Sequence, residues 1–326
     1  MANKAFIEIA TKVASKTAER EEKKEFVEAI KEIATDENLG PNKYWKINQI
    51  ITRTANELFK PRVDFYEYIA DVERVGRGEK LQFDIPMRTG VAMAWTGRGT
   101  TVDYERMQGS QKLDVEPEVI AGGVYYEMDQ LATGDVDGFV GAVDSLVDSL
   151  DSNVNARVMS TLHRAMAHAP RNNRWQGAGI QKANFDKLSS IVTRYGKRPV
   201  ALVDYDLGVK LTELVPQAGQ TEAMKEKINS DRILGRVSGV DIVTFTNPFA
   251  IDDTENEKYA VPRNYGYIFP TGYDKPIKIG FEGDLTEYTA QDIQSERVFL
   301  KVKQLVGVRA LTDLRNVCEI NDTTLV

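Results

Sequence analysis

Residues 295–317, SERVFLKVKQLVGVRALTDLRNV, constrain the 326-residue chain more than any other stretch. Val298, Leu300, Val302, Gln304, Val306 and Val308 alternate onto one face, and Arg297, Phe299, Lys301, Lys303 and Arg309 onto the other. A strand of that length with five aliphatic residues in step must bury them against a surface built by the earlier chain. The opposite face carries four cations, to be met by solvent, a ligand or another copy of the protein.

The composition, 42% hydrophobic and 28% charged, is that of an ordinary soluble protein long enough for two domains of typical size. A formal charge of -7 argues against a protein whose purpose is to coat phosphate backbones, although a local basic patch is compatible with it. Cys318 is the only cysteine, which excludes an intrachain disulfide and a cysteine-based zinc cluster and suits a reducing compartment. Lys4, Glu8 and Lys12 interrupt the opening stretch, so no secretory signal is expected there, nor does a later run reach the ~18 apolar residues of a membrane span. The expectation is a protein made and kept in the cytosol, unless it leaves as part of something larger.

Phe6, Ile9, Ala10 and Val13, then Phe26, Ile30 and Ile33, give residues 5–34 two helical stripes joined by the charged run KTAEREEKKE. In a second amphipathic segment, KYWKINQIITRTANELFKP, Trp45, Ile47, Ile50, Ile51, Leu58 and Phe59 recur at helical spacing, and the helix is expected to stop at Pro61. From Arg74 to Lys112, Gly76, Gly78, Gly90, Gly97, Gly99 and Gly109 punctuate short alternating runs, Leu81, Phe83, Ile85 and Val91, Met93, Trp95. That is hairpin composition, and an isolated two-stranded ribbon is marginal in water, so it needs a surface to lie on.

Residues 135–168 hold the strongest helical pattern, with Phe139, Val143, Leu146, Leu150, Val154, Val158, Leu162 and Ala165 on one stripe. Asp135 and Asp137 at its start and Arg157, His163 and Arg164 near its end match the helix dipole. At about 1.5 Å per residue this is a rod of roughly 50 Å without a sustained heptad repeat, the spine of an elongated subunit rather than a dimerisation zipper. A mixed α/β unit follows over 184–290: NFDKLSSIVTRYG, with Asn184 as N-cap and Gly196 as stop, the buried strand RPVALV, a helix capped by Asp204, and strands at 239–245, 264–269, 275–281 and 284–290. The long terminal strand then returns to the first half of the chain.

No phosphate-binding or dinucleotide glycine loop is present. His163 and His168, the only histidines, lie five apart on a helix and point to different faces, so no metal site or Ser/His/Asp triad is expected. DDTENE at 252–257 has the carboxylates of a cation loop, yet such loop tips are usually solvated. No catalytic residues, cofactor or metal are therefore assigned. Charge is more informative: Arg74–Lys112 carries seven cations against four acids, whereas Leu113–Asp151 carries ten acids and no Lys or Arg. Either the two segments pair within one chain, or the ribbon crosses to a neighbouring subunit and docks on its acidic spine.

The order of parts resembles the major capsid protein of tailed bacteriophages, the Hong Kong 97 fold: a charged N-terminal arm, a glycine-punctuated hairpin, VIAGGVYYEMDQLATGD leading into a spine helix, an α/β unit and a closing strand. RPVALVDYDLGVKLTEL is similar to the first strand and helix of that family's A domain, and ILGRVSGVDIVTF to its approach to a further A-domain strand. The resemblance implies an α+β chain divided into a helical N-terminal arm (1–60), an E-loop hairpin with its approach (61–112), a P domain (113–183) with spine helix 135–168, an A domain (184–290) and a P-domain return strand (291–326). It implies a shell of pentamers and hexamers around double-stranded DNA, held without sequence-specific binding. It further implies portal and scaffolding or decoration proteins as partners, no membrane, assembly in the bacterial cytoplasm and residence in the virion. Inter-subunit contacts are expected from Arg77, Lys80, Arg88, Trp95, Arg98 and Arg106 of the E-loop, and from an acidic surface of Asp135, Asp137, Asp144 and Asp148. Two other readings are an encapsulin-like compartment sharing the fold and a two-domain cytosolic enzyme with a ligand cleft.

Overall fold

The structure is a computed structural model and describes the chain except residues 1–3, 41, 67–69, 87–108, 128–132, 134–135, 196–197, 215–232, 246, 248, 250–252, 256, 260, 272–274, 293–296, 312 and 326. Among the described residues three helices come first: α1 (Lys4–Ala14), α2 (Arg20–Thr35) and α3 (Asn42–Tyr66). After β1 (Ala70–Val75), β2 (Gln82–Pro86), β3 (Ser110–Asp114) and β4 (Glu118–Glu127) comes the spine, α4 (Val136–Met166). Then follow β5 (Arg174–Gly177), α5 (Lys182–Thr193), β6 (Arg198–Val203), α6 (Tyr205–Glu213), β7 (Ile233–Val237), β8 (Val240–Thr244) and β9 (Tyr265–Thr271). β10 (Ile277–Asp292), β11 (Arg297–Ala310) and β12 (Cys318–Asp322) close the chain.

A four-stranded sheet of order β1-β10-β11-β4 holds the opening motif at its centre. Val298, Leu300, Val302, Gln304 and Val306 of β11 are buried, as the alternation requires, against the helices on the sheet's inner face. Helices α1–α3 and the first half of α4 meet there, with Phe26 packed edge-on against Phe139 at 5.0 Å. The one polar residue in the β11 stripe has a reason. A bulge between Glu282 and Thr286 of β10, with Gly283 at φ +65°, frees a carbonyl, and Gln304 Nε2 donates to Gly283 O at 2.9 Å.

The six-stranded sheet has the order β5-β12-β9-β6-β8-β7. Its central strand β6, RPVALV, is apolar from Pro199 onward because both faces are covered: Ala201 and Val203 face α5 and α6, Val200 and Leu202 the core shared with α4. That shared core runs from Leu150 to Met166 on the spine across residues of both sheets, including Tyr267, Phe269, Ile277 and Phe281. One continuous core thus joins the two layers.

The structure corrects several sequence expectations. The second amphipathic helix does not stop at Pro61 but continues to Tyr66. Tyr66 is fully buried and its hydroxyl donates to Asn155 Oδ1 at 2.6 Å, an anchor that offsets the backbone bond a proline removes. Helix α5 begins at Lys182 after Gln181, one turn earlier than a cap at Asn184 would place it, whereas Asp204 caps α6 by accepting from Asp206 N at 3.0 Å. The segments 275–281 and 284–290 are one strand, β10, and the turn-like residues Glu282-Gly283-Asp284 at its bulge make it read as two. β10 lies in the four-stranded sheet, while β12, beyond the long terminal strand, inserts between β5 and β9 of the other sheet. The two sheets therefore exchange strands at the end of the chain.

Candidate assembly surface

Two short strands pair with each other rather than joining either sheet, while Ile85 and Leu113 on them pack against the main core. β2 and β3 pair antiparallel from Gln82–Asp114 to Pro86–Ser110 and form a ribbon outside both sheets. Its base has a small core of its own, Leu81, Phe83 and Val115, resting on the outer face of the four-stranded sheet. Gly78 N donates to Glu282 Oε1 at 2.8 Å, and Val115 N to Leu81 O at 3.0 Å, closing the base. Arg309, an outward cation of β11, donates to Asp114 O at 2.5 Å and so belongs to this clamp.

Beyond the ribbon base, several large side chains of the outer face are exposed among the described residues. Lateral register aligns Phe299 with Tyr125 on one side and Ala290 on the other, and Lys301 with Tyr288. Val119, Tyr125, Tyr288 and Phe299 are 59%, 58%, 48% and 40% exposed, an unusual concentration of large apolar side chains on one sheet face. The cations of β11 interleave with them: Arg297 lies 4.9 Å from the Tyr125 ring and 3.7 Å from Glu127, and Lys303 lies 4.8 Å from the Tyr288 ring. A hydrogen bond from Lys303, with a smaller contribution from Arg77, draws the Tyr288 hydroxyl below its ordinary pKa. The question posed by the β11 cations is answered in part: Arg297, Lys303 and Arg309 contact groups of their own chain, and Lys301 is exposed.

Of the residues expected from sequence, Arg77 lies in the turn after β1, beside Gly283, and Lys80 is exposed just before β2. Arg88, Trp95, Arg98 and Arg106 lie outside the described residues, as does Asp135. Asp137 and Asp148 are exposed and Asp144 is half-buried, and their spacing puts all three on one side of α4. Glu118 pairs with Arg157 of α4 and Glu127 with Arg297 of β11, so those two acids are matched by cations outside the ribbon. Sequence reading missed Val119, Tyr125 and Tyr288. Their strands were legible or partly so, but the patch exists only once β4, β10 and β11 are set in register.

Elsewhere the chemistry-bearing residues hold the fold. His163 Nδ1 lies 3.0 Å from Glu319 Oε1, and Arg174 donates to the other oxygen of that buried carboxylate at 2.9 Å, tying the spine to β12 and β5. In the acidic loop, Asp253 accepts from the backbone N–H groups of Lys258, Glu255 and Glu257, which hold its carboxyl below the usual range and turn it toward its own loop. Burial pushes the Cys318 thiol up to about 12, the behaviour of a packed small side chain. Among the described residues no group of three His, Cys, Asp or Glu could hold a metal ion, and no helix is long and apolar enough to cross a membrane. The groove between α1 and α3, about 810 Å³, is lined by both signs, Lys12, Arg53 and Lys60 with Glu8, Glu57 and Asp284.

Comparison with known proteins bears on this geometry. Residues 1–317 match the family model described as "SPbeta prophage-derived putative capsid protein YonB". A relative from Bacillus subtilis (strain 168), "SPbeta prophage-derived uncharacterized protein YonB", is 28% identical over 83% of this chain and 82% of its own length. Among solved structures, the head of Helicobacter pylori bacteriophage KHP40 is similar with a TM-score of 0.50 at 12% identity, over 78% of this chain and 88% of that one. The capsid of an empty GTA particle is similar with a TM-score of 0.50 at 12% identity, over 79% and 89%. The fold is the Hong Kong 97 type.

Proposed function

Because the chain belongs to the YonB prophage capsid family, we propose that it tiles as pentamers and hexamers into an icosahedral head around double-stranded DNA. Its role is that of the major capsid protein of a tailed phage, forming the head shell and residing in the virion. The observation that carries the tiling is a body with a closed internal core and an unfinished exterior. The ribbon pairs with neither sheet and is held by a small core at its base and by Ile85 and Leu113, and the outer sheet face leaves Val119, Tyr125, Tyr288 and Phe299 exposed. Both features are completed by a neighbouring copy.

In this reading the E-loop lies within 61–112 and 1–60 is a helical N-terminal arm folded onto the spine; the P domain, expected over 113–183 and 291–326, takes the four-stranded sheet with β10, and the A domain, expected over 184–290, gives up β10 and takes the six-stranded sheet with β5 and β12. The cationic ribbon, through Arg77, Lys80, Arg88, Arg98 and Arg106 with Trp95 among them, lies against the acidic stripe of Asp135, Asp137, Asp144 and Asp148 on the next subunit, where opposite charge sets register. The shell contacts DNA without reading its sequence, since a chain of net charge -7 does not condense it by affinity. Portal and scaffolding or decoration proteins complete the particle in the host cytoplasm, and the chain itself catalyses nothing.

Reversing Arg88 and Arg98 to Glu tests the ribbon. The expected outcome is a folded subunit, by circular dichroism and unfolding cooperativity, that no longer forms particles in electron micrographs. Normal particles with both charges reversed contradict the docking. Long DNA inside particles from infected or induced cells separates a phage head from an enzyme-holding compartment.

A further inference from the structure

Gly280 of β10 and Gly307 of β11 are register partners, and both would otherwise project a side chain from the outer face of the four-stranded sheet. Neither adopts a positive φ, so backbone freedom does not explain them. Space does. A Cβ on Gly280 would stand 2.5, 2.6 and 2.9 Å from Cδ2, Cδ1 and Cγ of Leu81, and one on Gly307 would stand 2.6 Å from Val115 Cγ1 and 3.1 Å from Glu116 O. Leu81 and Val115 are 3% and 4% exposed and flank the two ribbon strands, one just before β2 and the other just after β3. The paired glycines therefore cut a notch two residues wide, and both ends of the ribbon sit in it.

We infer that the Gly280–Gly307 notch seats the ribbon and sets the angle at which it leaves the sheet, making these glycines positioning residues for shell assembly. The consequence for assembly rests on the neighbour contact proposed above for the ribbon; the seating itself does not. The surrounding bonds act in the same sense: Gly78 to Glu282, Gly76 N to Glu79 Oε2 at 2.8 Å, and Arg309 to Asp114 O all fix backbone at the notch rim. A buried leucine with three atoms under 3.0 Å from a new methyl cannot yield by rotating one terminal carbon, so the ribbon end must lift.

The test compares the wild type, Gly280→Ala, Leu81→Ala and the double variant. The readouts are thermal unfolding, amide hydrogen exchange over residues 81–86 and 110–115, and particle size by electron microscopy. Gly280→Ala is expected to keep cooperative unfolding while exchange at the Val115 amide quickens about tenfold and particles lose their uniform diameter. Leu81→Ala empties the notch and quickens the same amides. The double variant places the new methyl where Leu81 was and is expected to restore slow exchange and uniform particles. Unchanged exchange in Gly280→Ala, or quickened exchange that the second substitution does not reverse, overturns the seat. If Gly280→Ala does not fold, the double variant decides: recovery of the fold supports the notch, and continued failure overturns it. Quickened exchange with wild-type particles leaves the notch standing and contradicts the assembly role of the ribbon.

Discussion

Asp322 is fully buried at the end of β12, where its carboxylate accepts from Thr324 Oγ1 at 2.7 Å, Thr324 N at 3.0 Å, Gly179 N at 3.0 Å and Ile180 N at 3.3 Å. Burial pushes the carboxyl up, and these bonds, Thr324 first, more than offset it, leaving the group below its ordinary value. A depressed folded-state pKa contributes stability that is present above the unfolded value of ~3.9 and is lost as pH falls through the lower folded value. Asp322→Asn is therefore expected to flatten the fall of stability in acid, measured by urea unfolding of the dissociated subunit across pH 2 to 6. Asp322→Ala, which strips four donors of their acceptor, is expected to cost about 2–3 kcal/mol at pH 7. Gln304 offers a second residue-level test. Gln304→Leu leaves Gly283 O unpaired beneath the helices and is expected to lose about 1–3 kcal/mol in the same unfolding experiment, although it makes the stripe wholly apolar.

Among the elements, α4 carries the widest load, since its first half meets α1–α3 and its second half joins both sheets. Leu162→Ala, at a fully buried position in the joint core, is expected to cost about 2–5 kcal/mol and to lower the unfolding midpoint of the whole chain in one cooperative step. The stripe of α4 and the alternation of β11 were legible because each is long, regular and covered on one side only, so burial writes its period into the residues. β10 was not legible as one strand, because Glu282-Gly283-Asp284 reads as a turn and the inward positions change from Ile277, Ile279 and Phe281 before the bulge to Glu287 and Thr289 after it. The place of β12 was hidden for another reason: five residues, CEIND, pair with Trp175 and Tyr267, partners far away in the chain that no local pattern names. Pro61 misled because the helix is held from beyond it by Tyr66, a tertiary anchor that outweighs the local rule.

For the molecule as a whole, the sequence announced an elongated spine, a ribbon and a return strand, which is most of the fold. It left the assembly surface half written. The cations of β11 were visible, but the aromatic rings between them were supplied by β4 and β10, and the paired glycines had no meaning until Leu81 and Val115 were placed over them. The account makes subunit contact partly electrostatic, between a ribbon of seven cations and four acids and a segment of ten acids. Capsomers are therefore expected to loosen as salt rises from 0.1 M to 1 M, where the screening length falls from about 10 Å to about 3 Å, measured as a shift from particles to subunits in sedimentation. The most direct test of the central claim, that identical copies complete this surface by tiling into a shell, is electron microscopy of the purified chain at high concentration and low salt. The account predicts closed shells, tubes or sheets built from five- and six-fold capsomers. A population made only of monomers or uniform small oligomers, with no capsomer under any condition, would contradict it.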